Sequence, residues 1–356
     1  MPTREEAKNA LDTVIRKARI HLYKPIQIAE ILYRHRCHPE DSIDLLQLET
    51  YRTQSKRWRD DVCAVLLGRV CTSSARFQDD LFNNNALPPT LLAKLGEENI
   101  RTQGAVEAYI YRRFIDKYVQ LASALDYCMQ ATPATFQVQQ FIDSFWNEPG
   151  LRRSVDKVYE IVVFALFSTL VQTLNLKVEI SIDADKKDIL KEFEDFTQMV
   201  MCIDFSNPSY IQDARIYRVG VTNAADRGLD MYSNWGPAIQ IKHLSLDEEL
   251  AEEIVGSVSS DRVVIVCKEA ERNVIVSLLS QIGWRSHIQS IVTEVHLNQW
   301  YEKALRGTFA SLTGEQLLSV LREEIRREFP SVAQLPDSIR QRHYESITDP
   351  FWSEAV

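Results

Sequence analysis

Apolar positions recur at helical spacing through the first part of the chain. Residues 4–19 carry one apolar stripe, formed by Ala7, Leu11, Val14, Ile15 and Ala18. This spacing predicts an amphipathic helix. A second helix is predicted to begin at Pro25 and to reach about Arg34, and a third to span 104–130. We therefore expect a mainly helical region over residues 1–145.

The pattern changes in residues 146–356, where short apolar runs alternate with helical periods. Strands are predicted at 177–182, 215–221, 262–267 and 287–292. Helices are predicted at 186–201, 246–256, 269–282, 295–306 and 314–328. This order, with a hairpin described below, indicates an α/β (α+β) fold whose mixed β-sheet is flanked by helices. Residues 146–356 are therefore predicted to form a second domain.

A further predicted helix, at 151–171, is apolar on every face from Tyr159 onward. Such a helix is central and buried. Glu160 lies within this run, and a buried carboxylate is costly unless it is paired or binds a cation. Two interpretations therefore stand at this point, a salt bridge between Glu160 and an arginine, and a metal ligand.

The stretch 227–246 predicts two short strands joined by a tight turn at Trp235-Gly236-Pro237. Because alternate side chains of a strand share a face, Gln240 and Lys242 should project to the same side. The hairpin would bring Asp230 opposite them. A carboxylate, an amide oxygen and an ammonium group are thus predicted to converge beside the sheet.

These groups suit the hydrolysis of a phosphodiester, which requires a cation and a group that orients or activates water. Asp230, Gln240 and the backbone carbonyl of Ile241 are the candidate metal ligands. Lys242 would lie beside the attacking water. This is the PD-(D/E)xK nuclease arrangement with glutamine in place of the second acid. Because glutamine lowers the negative charge of the site, Glu160 is the candidate that completes it.

The catalytic spacing by itself is weak evidence, because it occurs by chance in most chains of this length. A second match lies at Asp185-Lys186-Lys187, at a polar strand end before a helix. Asp230 instead belongs to the order strand, turn, strand, helix, strand, on which this chemistry is built. We therefore favour Asp230 over Asp185.

The composition is that of a globular protein. The 356 residues are 45% hydrophobic and 26% charged, and no apolar run reaches the roughly 18 residues of a membrane span. The N-terminus has no signal-peptide form, so a cytoplasmic protein with no membrane partner is expected. The six cysteines are scattered, which predicts reduced and mostly buried thiols.

The formal net charge of −9 argues at first sight against a nucleic-acid partner. Residues 1–150 contain 19 Lys and Arg and 19 Asp and Glu, so all of the acidic excess lies in 151–356. Carboxylates there could bind metal while basic clusters remain in the first part. A nuclease needs a local positive track rather than a positive total.

Two segments of the first part suit contact with DNA. Residues 51–59 hold four basic residues and no acid, and 72–89 are rich in side chains that read base edges. The turn before the hairpin adds further candidates. The candidate DNA-binding residues are Arg57, Arg59, Arg76, Gln78, Asn83, Asn84, Asn223 and Arg227. A solvated helix face, helix caps and turns use the same residue types.

Longer runs of sequence resemble one family. They are His21-Leu-Tyr-Lys-Pro-Ile-Gln-Ile-Ala-Glu-Ile-Leu-Tyr33, Glu148-Pro-Gly-Leu-Arg-Arg153, Arg218-Val-Gly-Val-Thr-Asn-Ala-Ala-Asp-Arg-Gly-Leu-Asp230, Gln240-Ile-Lys-His-Leu244 and Val264-Ile-Val-Cys-Lys-Glu-Ala270. They resemble the HaeII family of type II restriction endonucleases over nearly the whole chain. The resemblance implies a Mg²⁺-dependent enzyme that cuts both strands of double-stranded DNA at a short palindrome and leaves 5′-phosphate and 3′-hydroxyl ends. It also implies the prototype's purine-GCGC-pyrimidine site and a cognate DNA methyltransferase as genetic partner.

Symmetric cutting of a palindrome implies a homodimer, because protein and DNA then share a two-fold axis. Residues 1–145 are accordingly expected to serve DNA recognition, dimerisation or both, and 146–356 to form the PD-(D/E)xK catalytic domain. One alternative is a structure-specific or transposition-associated nuclease of the same superfamily. Another, outside enzymes, is a DNA-binding module whose hairpin is purely structural.

Overall fold

A computed structural model describes most of the chain. It covers residues 2–71, 78–219, 229–243, 245–247, 260, 262–269, 288–329 and 337–353. The helices predicted at 246–256 and 269–282 lie almost entirely outside the described residues. The other predicted elements can be compared with the structure directly.

The N-terminal region is helical, as predicted. Its helices are α1 (Arg4–Lys17), α2 (Tyr23–Cys37), α3 (Arg52–Leu67), α4 (Pro89–Arg101), α5 (Ala105–Gln130) and α6 (Val138–Asn147). The apolar stripe of α1 is buried, and Thr3 and Glu6 form a capping box at its start. Pro25 lies in the first turn of α2, where the missing N–H of proline leaves no helical hydrogen bond unmade.

Helix α7 (Val155–Thr173) occupies the centre of the second part, in agreement with its apolar character. The hydroxyl of Tyr159 donates a hydrogen bond to the Cys267 carbonyl in the sheet at 3.1 Å. Two further helices, α10 (Glu294–Arg306) and α11 (Ala310–Glu328), pack beside α7. The buried hydroxyl of Tyr301 in α10 donates to the Val162 carbonyl at 2.8 Å. Glu160 is thereby held between the sheet and the helices.

A five-stranded mixed sheet lies against α7. Its strands are β3 (Ile216–Arg218), β4 (Met231–Ser233), β5 (Ala238–Lys242), β6 (Val263–Cys267) and β7 (Ile288–Thr293), in that spatial order. The pairs β3–β4 and β4–β5 are antiparallel, and β5–β6 and β6–β7 are parallel. The central parallel strand β6 is apolar throughout and four of its five residues are buried, as expected for a strand that is covered on both faces. The predicted α+β fold with a mixed sheet is confirmed.

A small unit lies between α7 and the main sheet in sequence. It consists of β1 (Lys177–Ser181), α8 (Lys187–Glu192), α9 (Glu194–Met201) and β2 (Ser209–Asp213). The helix predicted at 186–201 is divided at Phe193, and β2, which pairs antiparallel with β1, was not predicted. The alternation of polar and apolar residues in β2 is too short to distinguish a strand from a loop in the sequence.

The C-terminal segment, with α12 (Asp337–Arg340) and α13 (Pro350–Ser353), packs on the N-terminal helices. The guanidinium of Arg342 donates to both carboxylate oxygens of Glu30 at 2.7 and 3.0 Å. The hydroxyl of Tyr344 donates to Glu107 at 2.6 Å. The chain thus returns to its first part, and the division near residue 145 remains a prediction.

The cysteines are all free, as expected, but only half of them are buried. Cys63, Cys128 and Cys267 are buried, Cys71 is half-buried, and Cys37 and Cys202 are exposed. Among the described residues, no helix combines the length and the apolar character that a bilayer span requires.

Candidate active site

The predicted hairpin forms and places Asp230 beside Gln240. Met231 of β4 pairs with Ile239 of β5, so the residue before β4 lies next to the middle of β5. The backbone N–H of Ile241 donates to Asp230 Oδ2 at 2.7 Å. This bond orients the carboxylate. The contact shown for Ile241 is therefore through its N–H, and the ligand role of its carbonyl stays a prediction.

Gln240 lies in the interior, with 3% of its surface exposed. Its side-chain oxygen, Oε1, has no hydrogen-bond partner within the described part of the protein. A buried oxygen without a partner costs about 1 to 3 kcal/mol. Such a cost is often retained for function, and amide and carboxylate oxygens are the donors that hard divalent cations prefer. The side chain therefore fits a cation site.

Glu160 is buried on α7 and is paired with two cations. Its two oxygens accept hydrogen bonds from Lys157 Nζ at 2.7 and 2.8 Å, and Arg218 Nη1 lies 3.8 Å from Oε2. Burial, with a smaller contribution from the charge of Asp230, raises the pKa of Glu160 to about 7 against the lowering effect of Lys157. The two carboxylates therefore lie close enough to interact electrostatically. The structure thus contains the predicted salt bridge and also brings Glu160 to the hairpin.

Arg218 connects the site to helix α11. Its guanidinium is 5% exposed and pairs with Glu324 at 3.0 Å and Glu328 at 3.2 Å, besides Glu160. The sequence predicts no role for Arg218 or Lys157. The pairing of Lys157 with Glu160 could have been predicted from their spacing, because residues three apart on a helix are neighbours. For Arg218 no local signal existed, since Glu160 lies on an earlier helix and Glu324 and Glu328 lie about a hundred residues later in the chain.

Two lysines, Lys157 and Lys242, lie near enough to Asp230 to affect its charge. Burial raises the pKa of Asp230, and the hydrogen bond from Ile241 and the charges of Lys157 and Lys242 oppose the rise. Lys242 is half-buried at the end of β5, two residues after Gln240 and hence on the same face. The sheet thus presents Asp230, Gln240 and Lys242 together.

Asp185 and Lys187 of the second match to the motif, and His243 beside Lys242, lie in surroundings that differ from those of Asp230. Asp185 and Lys187 are exposed at the start of α8, outside the five-stranded sheet. His243 is buried and packs against Trp146 and Tyr159, with ring centroids 5.6 and 5.1 Å apart. His243 is therefore packed in the protein interior.

The proposed DNA-binding residues differ in their accessibility. Arg59 is 1% exposed and donates to Gln27 and Gln78 at 3.1 and 3.0 Å, so its burial argues against direct contact with DNA. The same bond occupies the side-chain oxygen of Gln78. Arg57 lies exposed on α3.

The amide-rich turn that follows is also exposed. Asn83 and Asn84 lie on the surface, and Asn83 Oδ1 accepts from the backbone N–H of Asn85 at 3.0 Å. This is the turn role that the sequence analysis kept as an alternative. Arg76, Asn223 and Arg227 lie outside the described residues.

The donor set is small but of the right chemistry. Within the described ranges, no three His, Cys, Asp or Glu side chains form a cluster that could hold a metal ion. The candidate oxygen donors are the carboxylates of Asp230 and Glu160 together with Gln240 Oε1. Two acids and an amide would provide hard oxygen ligands for a divalent cation.

The fold of this protein is of the α+β nuclease type, with a mixed sheet that carries Asp230 and the sequence Gln240-Ile-Lys242 on one hairpin. The model of the HaeII restriction endonuclease family matches residues 7–344, and the chain belongs to this family. The type II restriction enzyme HaeII of Haemophilus aegyptius is 57% identical over 345 residues, 96% of this chain and 97% of its own length. The type II restriction enzyme NgoBI of Neisseria gonorrhoeae is 55% identical and covers 92% of each chain. No solved structure matches the chain.

Membership of this family makes the protein a type II restriction endonuclease, a site-specific deoxyribonuclease whose substrate is DNA. Enzymes of this class generally use divalent metal ions. The non-enzymatic alternative is thereby removed.

Proposed function

We propose that the protein hydrolyses a phosphodiester bond in each strand of double-stranded DNA at a short palindromic site, with Mg²⁺ as its cofactor. The observation that supports this most directly is the buried Gln240 Oε1 beside Asp230, which has no hydrogen-bond partner in the described part of the chain. A purely structural hairpin would satisfy or expose such an oxygen.

Asp230, Gln240 and Glu160 would hold the cation. When bound, a divalent cation would neutralise charge on the phosphate and lower the pKa of a water molecule. The backbone N–H of Ile241 fixes the Asp230 carboxylate, so that this ligand is oriented before substrate binds. Lys242, on the same face, would orient the attacking water and stabilise the charge that develops on the phosphate.

The purine-GCGC-pyrimidine sequence is the proposed recognition site, with 5′-phosphate and 3′-hydroxyl ends as products. Support comes from the identity of 57% with HaeII over nearly the full length of both chains. Among the candidate DNA contacts, Arg57 and the Asn83–Asn84 turn are the exposed ones. A palindrome has two-fold symmetry, so a homodimer is proposed. A cognate methyltransferase that protects host DNA in the cytoplasm would act as genetic partner.

Digestion of a plasmid of known sequence with Mg²⁺, followed by mapping of both ends of each fragment, tests this proposal. Cleavage at every purine-GCGC-pyrimidine site and nowhere else is the expected result. Cuts that follow DNA structure instead of this sequence would favour the structure-specific alternative.

The catalytic assignment is tested with Asp230→Asn and Lys242→Ala. Each should abolish cleavage and preserve Mg²⁺-free DNA binding. Asp185→Asn and Lys187→Ala are matched controls, because they alter the exposed copy of the same motif, and both should cut normally. Full cutting by either hairpin variant would refute the assignment.

Glu160→Gln separates the two roles of the buried glutamate. We expect a lower rate and a higher Mg²⁺ requirement, because one ligand loses its charge. A change in unfolding free energy with unaltered Mg²⁺ dependence would leave only the salt bridge to Lys157 and Arg218.

A further inference from the structure

The small unit between α7 and β3 exposes an unusual amount of apolar surface. Of residues 174–213, only Leu190 and Ile203 are buried. Large apolar side chains are exposed on both helices, on the strands and in the connections. They are Leu174, Leu176, Ile189, Phe193, Phe196, Met199, Val200, Met201, Phe205 and Ile211. Contiguous apolar surface beyond a few hundred Å² marks an interaction site on most proteins.

Helix α9 shows the pattern most clearly. Phe193, Phe196 and Val200 follow the spacing of one helical face, and Met199, beside them, is 86% exposed. None of the residues of α9 is buried. An eight-residue helix is not stable in water by propensity alone and depends on packing of its apolar face. We call these four residues the α9 stripe.

We propose that the α9 stripe is the centre of a homodimer interface, covered by the same surface of a second copy of this chain. The inference rests on the proposed function, because one catalytic hairpin per chain must serve two DNA strands. An interface on a two-fold axis is self-complementary, and an uncharged stripe can meet its own copy without burying like charges.

The apolar content of the unit favours a protein occupant, and its charge disfavours DNA. The ten exposed apolar side chains could supply the apolar core of a standard interface, which takes about 20 to 30 residues from each partner. Residues 174–213 contain four Lys and nine Asp and Glu. That acidic balance disfavours DNA as the occupant, since DNA binding depends on cationic contacts with phosphates.

The unit is also connected to the catalytic hairpin. Asn234, in the turn between β4 and β5, accepts from the Arg215 N–H at 2.8 Å and donates to the Asp213 carbonyl at 2.9 Å. A partner bound to the unit would therefore be held in a defined position relative to Asp230, as two coordinated cuts require.

The test compares the wild type with Phe196→Glu/Met199→Glu by sedimentation velocity without DNA. The wild type should have the mass of two chains, and the variant should have half of it with an unchanged circular dichroism spectrum. Val119→Glu, which places the same charge on an exposed apolar position of α5, should remain dimeric. A monomeric wild type, or a stripe variant that stays dimeric, overturns the proposal.

A second measurement applies if the stripe variant misfolds. Amide hydrogen exchange of residues 193–201 in the wild type should slow as the protein concentration is raised through the monomer–dimer transition, and equal exchange rates in monomer and dimer overturn the proposal. Plasmid cleavage by the wild type is scored separately. Absence of cleavage by a dimeric protein would contradict the proposed function and leave the interface standing.

Discussion

Replacement of Arg218 by methionine should destabilise the protein strongly, because its guanidinium neutralises a group of buried carboxylates. Arg218 is paired with Glu324 at 3.0 Å and Glu328 at 3.2 Å and lies near Glu160, and all four side chains are nearly inaccessible to water. Methionine retains the bulk of the side chain but removes the charge. Lys157 would still balance Glu160, whereas Glu328 would lose the guanidinium with which it is paired.

The expected magnitude follows from burial. Removing one member of a buried ion pair costs about 3 to 5 kcal/mol, because the remaining charge stays in a poorly solvated site. Arg327 provides the comparison. It contacts the same Glu324 at 2.7 Å, but its side chain is 61% exposed. An exposed pair contributes about 0 to 1 kcal/mol.

The assay is equilibrium urea unfolding of the wild type, Arg218→Met and Arg327→Met, monitored by circular dichroism. We expect a loss of about 3 to 5 kcal/mol for Arg218→Met and less than about 1 kcal/mol for Arg327→Met. Addition of Glu324→Gln and Glu328→Gln should restore part of the loss in the Arg218 variant. Equal, small losses in the two single variants would refute the reasoning from burial.

Three further outcomes are expected. Burial lowers the pKa of His21, which Arg69 contacts, to about 3. Because His21 becomes protonated below pH 6.5 in the unfolded chain but stays neutral in the folded protein, the free energy of unfolding should be about 2 kcal/mol lower at pH 5 than at neutral pH. His21→Leu should remove that part of the acid sensitivity, and urea unfolding at pH 7 and pH 5 that shows the same loss in both proteins would contradict it. Gln240→Met should abolish plasmid cleavage and leave the unfolding free energy without divalent ions unchanged or higher by up to about 3 kcal/mol, because Oε1 has no hydrogen-bond partner among the described residues; retained cleavage would argue against the site. Arg342→Met should cost about 3 to 5 kcal/mol in urea, since it leaves Glu30 buried without its cation, and a loss below about 1 kcal/mol would exclude that role.

Much of the fold could be read from local patterns. The stripe of α1, the all-round apolar character of α7 and the alternation around Gln240 each determine which faces are buried, because helix and strand periods differ. The hairpin follows from two short apolar runs and a turn, so the approach of Asp230 to Gln240 was predictable. The family resemblance was likewise carried by runs of sequence and is confirmed.

Local pattern was less informative for polar side chains in the interior. Arg59 was proposed to bind DNA from the composition of its segment, yet it is buried and bonded to Gln27 and Gln78. A run of basic residues does not reveal which of them point inward, because that depends on how α3 packs against α2. The exposed stripe of α9 is the converse case, since its amphipathic pattern predicts a helix but not which surface covers it.

The sequence by itself therefore determined most of the described elements and the hairpin that brings Asp230, Gln240 and Lys242 together, because these depend on neighbours within about twelve residues. Only the tertiary structure decided the surroundings of Glu160. Lys157 lies one helical turn before it, but Arg218 and its partners on α11 are brought there by the packing of that helix on α7. Pairing of buried charges across such distances is set by the fold as a whole, and no local period encodes it.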